Sequence, residues 1–325
     1  MHTFPKGSND SMIRKYALAS FAALLVLQAP ARSQSVPTVR VATLPIDVAS
    51  QALYAKDEGF FQAAGLNVEI TLMSNGGAIA AGVAGGSLDL GASNLVNLAA
   101  GYENHVPYVL VAPGGAYSDT QPTSKLVVTA DSAIKTAKDM AGKTIAVNLL
   151  NSIDSVGVLA WIDKNGGDSK SVKLVEMPYP TIGPAVAKGS VDVGSIDEPF
   201  LGDAISTNHL RAVGLPLDAV TRKFVEGAFF CTRDYATAHP DVVRKFADAM
   251  AKAADWANAH PDLSAKVLEK YSGRPLAPGA ARTYFLPRFT RAQSQPLLDV
   301  AYKYGALKTP VQLQDMFAPG ITFAQ

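Results

Sequence analysis

Val83-Ala84-Gly85-Gly86-Ser87-Leu88-Asp89-Leu90-Gly91 returns 103 residues later as Val186-Ala187-Lys188-Gly189-Ser190-Val191-Asp192-Val193-Gly194. Val, Ala, Gly, Ser, Asp and Gly recur at matching places, and Leu is twice exchanged for Val. At nearly the same interval the apolar stretch 39–43 (VRVAT) is matched by 143–147 (KTIAV). Solenoid and propeller units repeat every ~20–50 residues, so an interval this long points instead to two α/β lobes of similar topology. Coincidence in an Ala/Gly/Val-rich chain is the other reading of the nonamer, and the strand match weakens it. Within the repeat, Gly ends a helix and Asp at a strand start satisfies turn amides. Asp89 and Asp192 are therefore read as structural residues, not ligand contacts.

Outward from the repeat, strand-like and helix-like segments alternate. Strands are expected at 39–43, 68–72, 88–90 and 108–111, and helices at 49–64, 77–84 and 95–102, with Gly65 as a helix stop. A loop at 114–123 and a strand at 126–129 follow, and then the pattern restarts. Strands at 143–147, 172–176, 191–195 and 210–214 alternate with helices at 153–164, 182–187 and 200–206. Residues 228–232 (AFFCT) are apolar and extended, and the chain from His239 onward is largely helical. Such alternation implies α/β lobes with mainly parallel sheets covered by helices on both faces.

The 325 residues, 48% hydrophobic, suffice for two ordinary cores. The charged fraction is 18% and the net charge +1, with no clustered basic excess, which argues against a nucleic-acid partner. At the N-terminus, Arg14 and Lys15 precede an uncharged, mostly apolar run at 16–27 and small-x-small sites at 29–33. This is the pattern of a secretory signal peptide, residues 1–33, cleaved within 31–35. The run is shorter than the ~20 residues needed to span a bilayer. The single cysteine, Cys231, leaves no internal disulfide, and none lies near the cleavage region to carry a lipid. A soluble periplasmic protein is expected.

Several segments resemble the nitrate/sulfonate/taurine-type (SsuA/TauA-like, NMT1-like) periplasmic substrate-binding proteins of ABC transporters. They are Leu53-Tyr54-Ala55-Lys56-Asp57-Glu58-Gly59-Phe60-Phe61, Gly65-Leu66-Asn67-Val68-Glu69, and Lys138-Asp139-Met140-Ala141-Gly142-Lys143-Thr144-Ile145-Ala146-Val147. The stretch 191–200 (VDVGSIDEPF) and His239-Pro240-Asp241 at the start of a long helix add to them. The likeness runs from about Val39 to Ala259; beyond that the chain matches only as a generic helical tail. It implies a two-lobe fold (type II) with a ligand cleft between lobes and two crossover strands as hinge. Lobe I would take residues 36–127 plus 230–325 and lobe II residues 128–229. It also implies a monomer that captures a small organic molecule or oxyanion of the sulfonate, nitrate, taurine or pyrimidine-like class and delivers it to an ABC permease. No enzymatic activity and no cofactor are implied.

Ligands of open α/β sheets bind beyond the carboxyl ends of the strands, and clefts between domains are common pockets. The loops there supply the candidate ligand-binding residues: Leu44, Asp47, Asn75, Gly76, Gly77, Ser93 and Asn94 from lobe I, and Asn151, Ser152, Asp197 and Glu198 from lobe II. Small residues at 74–77 let backbone approach a ligand, and free helix-start amides favour oxygen; an ordinary helix cap reads equally well. Ser93, Asn94, Asn151 and Ser152 have the same two readings. Asp197-Glu198, with Ser93-Asn94 as the matching pair in lobe I, either start a helix favourably or accept from an amine, amide or ring N–H, as Asp47 could. None of these loops carries Arg or Lys, which disfavours a small dianion and favours a neutral, zwitterionic or amine-bearing ligand. Tyr117 and Tyr179 could wall its body.

No phosphate-binding loop, dinucleotide glycine pattern, zinc motif or nucleophile elbow is present, so catalytic and metal residues are expected to be none. The five histidines are scattered, and His239 and His260, each in Ala-His-Pro-Asp, read as helix-entry residues. Cys231 reads as a buried small hydrophobe. The rival readings are a pyrimidine- or quinone-precursor enzyme on the same fold and a ligand-presenting partner of a sensor kinase. An export signal disfavours the enzyme. So does the solitary Cys231, because the yeast pyrimidine-forming relatives carry a cysteine-rich segment.

Overall fold

Alternation starts the first strand: in Thr38–Thr43 (β1), Val39 and Val41 are buried while Thr38 and Arg40 are exposed. The computed structural model describes residues 1–4 and 38–324, so the expected signal peptide lies outside the described residues beyond its first four. After β1 come helices Gln51–Asp57 (α1) and Phe60–Ala63 (α2), then Asn67–Leu72 (β2), Gly76–Ala84 (α3), Leu90–Asn94 (β3) and Leu95–Glu103 (α4). Strands Tyr108–Pro113 (β4), Gly115–Ser118 (β5), Ser124–Thr129 (β6) and Thr144–Val147 (β7) lead to Ile153–Lys164 (α5) and Lys173–Glu176 (β8). Tyr179–Ala187 (α6), Val193–Asp197 (β9), Phe200–Thr207 (α7) and Leu210–Gly214 (β10) follow. Lys223–Val225 (β11), Gly227–Thr232 (β12), Arg233–Ala238 (α8), Pro240–Ala259 (α9) and Pro261–Ser272 (α10) come next. Tyr284–Phe285 (β13), Arg291–Ser294 (α11) and Pro296–Lys303 (α12) close the chain.

The first sheet has the order β2-β1-β3-β12-β4 and the second β10-β6-β9-β7-β8. Reversed, the second becomes β8-β7-β9-β6-β10 and matches the first place by place. In each sheet three strands run parallel, and the fourth, β12 or β6, lies antiparallel to its neighbours. Two sheets of matching order fit the repeat. The expected divisions at 127/128 and 229/230 fall within β6 and β12. Hydrogen bonding puts the whole of β6 in the second sheet and the whole of β12 in the first. Propensity could not show this, because sheet membership depends on the partner strand rather than on the strand itself.

The repeat works through two contacts. Gly91 and Gly194 sit under α3 and α6 so closely that a Cβ would lie 2.2 Å from Ile79 Cγ2 and 2.5 Å from Ile182 Cγ2 respectively. Val83 and Val186 stand 3.2 and 3.1 Å from the same positions. Glycine therefore sets how near each helix lies to its strand. Asp89 Oδ2 accepts from the Arg40 amide at 2.7 Å, and Asp192 Oδ2 from the Thr144 amide at 2.8 Å. Both aspartates fasten the start of the neighbouring strand, as their positions in the repeat suggested.

Three expectations need correction. The single helix at 49–64 is broken, because Gly59 adopts φ 72° between α1 and α2, a left-handed conformation that glycine takes at no steric cost. The loop at 114–123 contains β5, which with β11 and β13 forms a third sheet; β5 and β11 are the segments by which the chain passes between the first two sheets. The residues after 272 are less helical than expected, with long irregular stretches around α11 and α12. Gly65, at φ 71°, does stop a helix, and Pro240 and Pro261 open α9 and α10 behind His239 and His260. Among the described residues no helix is long and apolar enough to cross a membrane.

Gly194→Ala tests the glycine contact. Overpacking against Ile182 should cost about 1–3 kcal/mol, read as a lower urea midpoint. An unchanged midpoint would mean that α6 can move off the sheet freely.

Candidate functional site

The carboxyl ends of β1, β3, β7 and β9 surround a cavity of about 60 Å³. Its apolar wall is Leu44, Ile46, Val48, Ala49, Ala92, Ile153, Ala228 and Phe229; its polar groups come from Ser93, Asn94, Asn148, Asp154, Tyr179, Asp197 and Glu226; Gly76, Gly114 and Gly227 complete it. Strand alternation and crossing loops account for this set. Ser93 and Asn94 end β3, Asp197 ends β9, and Gly76 and Tyr179 open α3 and α6 at equivalent places in the repeat.

On the first half, Asn97 Nδ2 donates to Ser93 Oγ at 2.8 Å, and the Asn97 amide donates to Asn94 Oδ1 at 2.9 Å. Asn94 thus caps α4 and also faces the cavity, so the two readings of this residue coexist. Position 76 must be glycine, since a Cβ there would meet Ser93 Oγ at 2.4 Å.

On the second half, the Tyr179 hydroxyl donates to Asp197 Oδ2 at 2.9 Å and lies 3.3 and 3.4 Å from the Asp154 oxygens. The Tyr179 ring stacks on Phe200 at 6.2 Å between centroids. Glu226 joins β11 to β12; its amide donates to the Gly115 carbonyl and its carbonyl accepts from the Leu95 amide, both at 3.0 Å. Asp154, Asp197 and Glu226 are 6%, 7% and 4% exposed, so water scarcely reaches them. Asp197 Oδ1 and Glu226 Oε1 have no hydrogen-bond partner. Burial pushes all three carboxyls above the usual carboxylate range, and repulsion from Asp197 adds to it at Asp154 and Glu226. Among the described residues no Lys, Arg or His lines the cavity. Among the described residues no group of three His, Cys, Asp or Glu side chains is placed to hold a metal ion.

Of the residues expected to meet a ligand, Leu44, Gly76, Ser93, Asn94 and Asp197 line the cavity; Asp47, Asn75, Gly77, Asn151, Ser152 and Glu198 do not. Asp47 is 1% exposed and clamped by Arg282, whose Nη2 and Nε donate at 2.9 and 3.0 Å, and by the Thr283 amide at 2.7 Å. That partner lies 235 residues away in sequence and had no local signal. Asn75 accepts from the Ala78 amide at 2.8 Å as the cap of α3. Gly77 faces Leu149, Asn151 takes φ 51°, and the Ser152 hydroxyl donates to the Leu149 carbonyl at 2.5 Å. Glu198 accepts from the Gly202 amide at 3.1 Å, and burial pushes its carboxyl up to about 7. By the interval of the repeat it is Asp197 alone, not the Asp197-Glu198 pair, that stands where Asn94 stands in the first half. Tyr117 is buried against Phe224 and bonded to Asp218, away from the cavity. Asn148 lies in the loop expected from the sequence to hold ligand and lines the cavity, whereas Asp154 and Glu226 carry no place in that expectation. Asp154 could have been found as an acid in the first turn of a helix following a strand end; Glu226 carries no such mark.

Two hydrogen bonds cross between the halves beside the cavity: Asn148 Nδ2 to the Ser74 carbonyl at 3.2 Å, and the Asp47 amide to the Glu198 carbonyl at 3.1 Å.

Two predictions follow from these charges. Asp47→Ala removes one member of a buried ion pair and should cost the free protein at least about 3 kcal/mol in chemical denaturation; a change under 1 kcal/mol would show that Arg282 finds other partners. The raised carboxyls set a pH dependence. The unfolded chain releases these protons near pH 4, whereas the native site holds them longer. The native state therefore binds more protons, and stability falls as pH rises from about 4 through neutrality. The melting temperature of the free protein should be lower at pH 8 than at pH 5, with a shallower fall in Glu226→Gln. A melting temperature that rises over that interval contradicts the charge assignment.

The NMT1/THI5-like family profile matches residues 49–264. No match is found among curated protein sequences. Among solved structures the chain is similar to the periplasmic aliphatic sulphonate-binding protein SsuA from Escherichia coli, with TM-score 0.67, 16% identity, and coverage of 89% of this chain and 94% of that one. It is also similar to the alkanesulfonate-binding protein SsuA from Xanthomonas axonopodis pv. citri bound to MOPS, with TM-score 0.70, 20% identity, and coverage of 89% and 100%. A third likeness is to the desulfurization enzyme DSZB, with TM-score 0.63, 18% identity, and coverage of 87% and 96%. These likenesses establish the two-lobe fold, which serves both binding and catalysis in the compared proteins. With two thirds of its length matched by the profile, the chain belongs to the NMT1/THI5-like family.

Proposed function

We propose that the chain is the solute-binding component of an ABC-type importer, exported to the periplasm, which captures a small organic molecule in the cavity between its two lobes. The observation that carries this reading is the wall of the cavity. Repeat-equivalent positions of both halves, Asn94 with Asp197 and Gly76 with Tyr179, face the same space. A ligand held there would bridge the halves and favour their closed arrangement. The SsuA proteins, which share the fold, are named as binding proteins, and this supports the same role here.

The enzyme reading draws support from the fold of DSZB. The lining residues support binding over catalysis. The one aliphatic hydroxyl, Ser93, is held by an amide rather than by a base, and among the described residues no His, Cys or Lys stands in the cavity. Cys231 is fully buried, and burial pushes its thiol up to about 12, far from a reactive thiolate. Delivery to a permease and action as a monomer belong to the proposal, as does the division into lobes that meet at the β5 and β11 crossovers.

The test is ligand-dependent closure. Thermal-shift screening of a broad solute library should find at least one stabilising compound, by about 2.7 kcal/mol at 100 times Kd, and that compound should shrink the radius of gyration in solution scattering. Protein recovered from the periplasm should begin between Arg32 and Val36. Turnover of the bound compound would sink the transport reading in favour of an enzyme.

A further inference from the structure

We propose that the cavity takes a small organic cation bearing N–H donors, an ammonium or amidinium, received by the carboxylates of Asp197 and Glu226. This rests on the solute-binding reading and names the ligand class of that site. The Tyr179 hydroxyl has one proton to give. It donates it to Asp197 Oδ2 at 2.9 Å, and its approaches to Asp154 at 3.3 and 3.4 Å are long. Three carboxyls, each more than nine-tenths buried, thus have only neutral neighbours, the Tyr179 and Ser124 hydroxyls and the Asn148 amide, and Asp197 Oδ1 and Glu226 Oε1 lack a hydrogen bond of good geometry.

Unpartnered buried carboxyls are costly; buried Asp47 has Arg282, and buried Glu198 accepts from the Gly202 amide. Among the described residues no cation lines the cavity to fill that role. A ligand with positive charge and N–H donors supplies both missing elements, and such charge-assisted bonds are the strong ones. An anion would oppose ionisation of these three acids further, whereas a cation favours it. The cation is organic because the carboxyls are not gathered as metal ligands and because Leu44, Ile46, Val48 and Phe229 offer a wall for a short hydrocarbon body.

The experiment uses the purified protein in thermal-shift and calorimetric titrations with putrescine, ethylenediamine and guanidinium. Methanesulfonate, nitrate, acetamide, Ca²⁺ and Zn²⁺ are run beside them. At least one amine or guanidinium probe should stabilise and bind, and the other probes should not. Asp197→Asn and Glu226→Gln keep the volume and remove the charge. They should weaken the binding about tenfold or more, while at pH 8 the free proteins melt at the wild-type temperature or above, because a buried acid whose ionisation opposes folding is gone. A purely structural role would instead lower the melting temperature of the free variants and leave affinity unchanged. If methanesulfonate, nitrate or acetamide binds and no cation does, the charge inference falls while the solute-binding reading stands. Stabilisation by Ca²⁺ or Zn²⁺ with inactive amines also overturns it. If no compound of any class binds, both readings fall.

Discussion

Each sheet is completed by a strand that runs against its neighbours, and the rest of the molecule depends on this insertion. β12 lies between β3 and β4, and β6 pairs with β9 and β10. The pairing sets Ala228 against Ser93, Gly227 against Asn94 and Ser124 against Asp197. Gly227 packs so tightly that a Cβ would come within 2.8 Å of the Ser93 carbonyl. The chain reaches these strands through β5 and β11, which pair with each other. Gly114 and Glu226, at the ends of those crossovers, line the cavity. Backbone hydrogen bonding that closes the sheets thus also builds the floor of the site from the joining segments.

Charge is distributed unevenly over this frame. Asp47, Asp89 and Asp203 are paired with Arg282, Arg40 and Arg274. Asp154, Asp197 and Glu226 are buried together with a tyrosine hydroxyl and no cation. Three buried acids gathered at one cavity without a neighbouring cation mark it as a place where stability gives way to another demand. The cavity is otherwise mostly apolar, which strengthens any electrostatic contact made inside it. The solved structures of similar fold include sulfonate binders, whereas among the described residues the cavity here is lined by three acids and no basic side chain. A shared frame does not carry its ligand with it.

The segment after α10 acts on both halves although it lies beyond the end of the family match at 264. Arg282 holds Asp47 next to the first sheet. Arg274 pairs with Asp203 on α7, and its guanidinium lies 5.1 Å from the Phe200 ring centre. β13 covers the free edge of β5, and α12 packs against both α4 and α5. What looked like a tail is a strap across the two halves, and Phe200 links it to the cavity because it stacks on Tyr179.

The sequence by itself determined the two-part α/β architecture. The glycine and aspartate of the repeat act over a few residues, Gly91 and Gly194 beneath the helices just before them and Asp89 and Asp192 at a strand start, so the same short string makes the same unit twice. Residues at strand ends were legible for the same reason, and Leu44, Gly76, Ser93, Asn94 and Asp197 do stand around the cavity. Only the tertiary structure decided which acids remain without a partner. Asp47 and Asp197 follow strands in the two halves and look alike in one dimension; a guanidinium 235 residues away neutralises the first, while the second meets the hydroxyls of Tyr179 and Ser124 and no cation. Glu226 enters the cluster because β12 crosses back to pair with β3. The strength of a charge depends on what surrounds it in space, and contacts at such separations leave no local pattern along the chain.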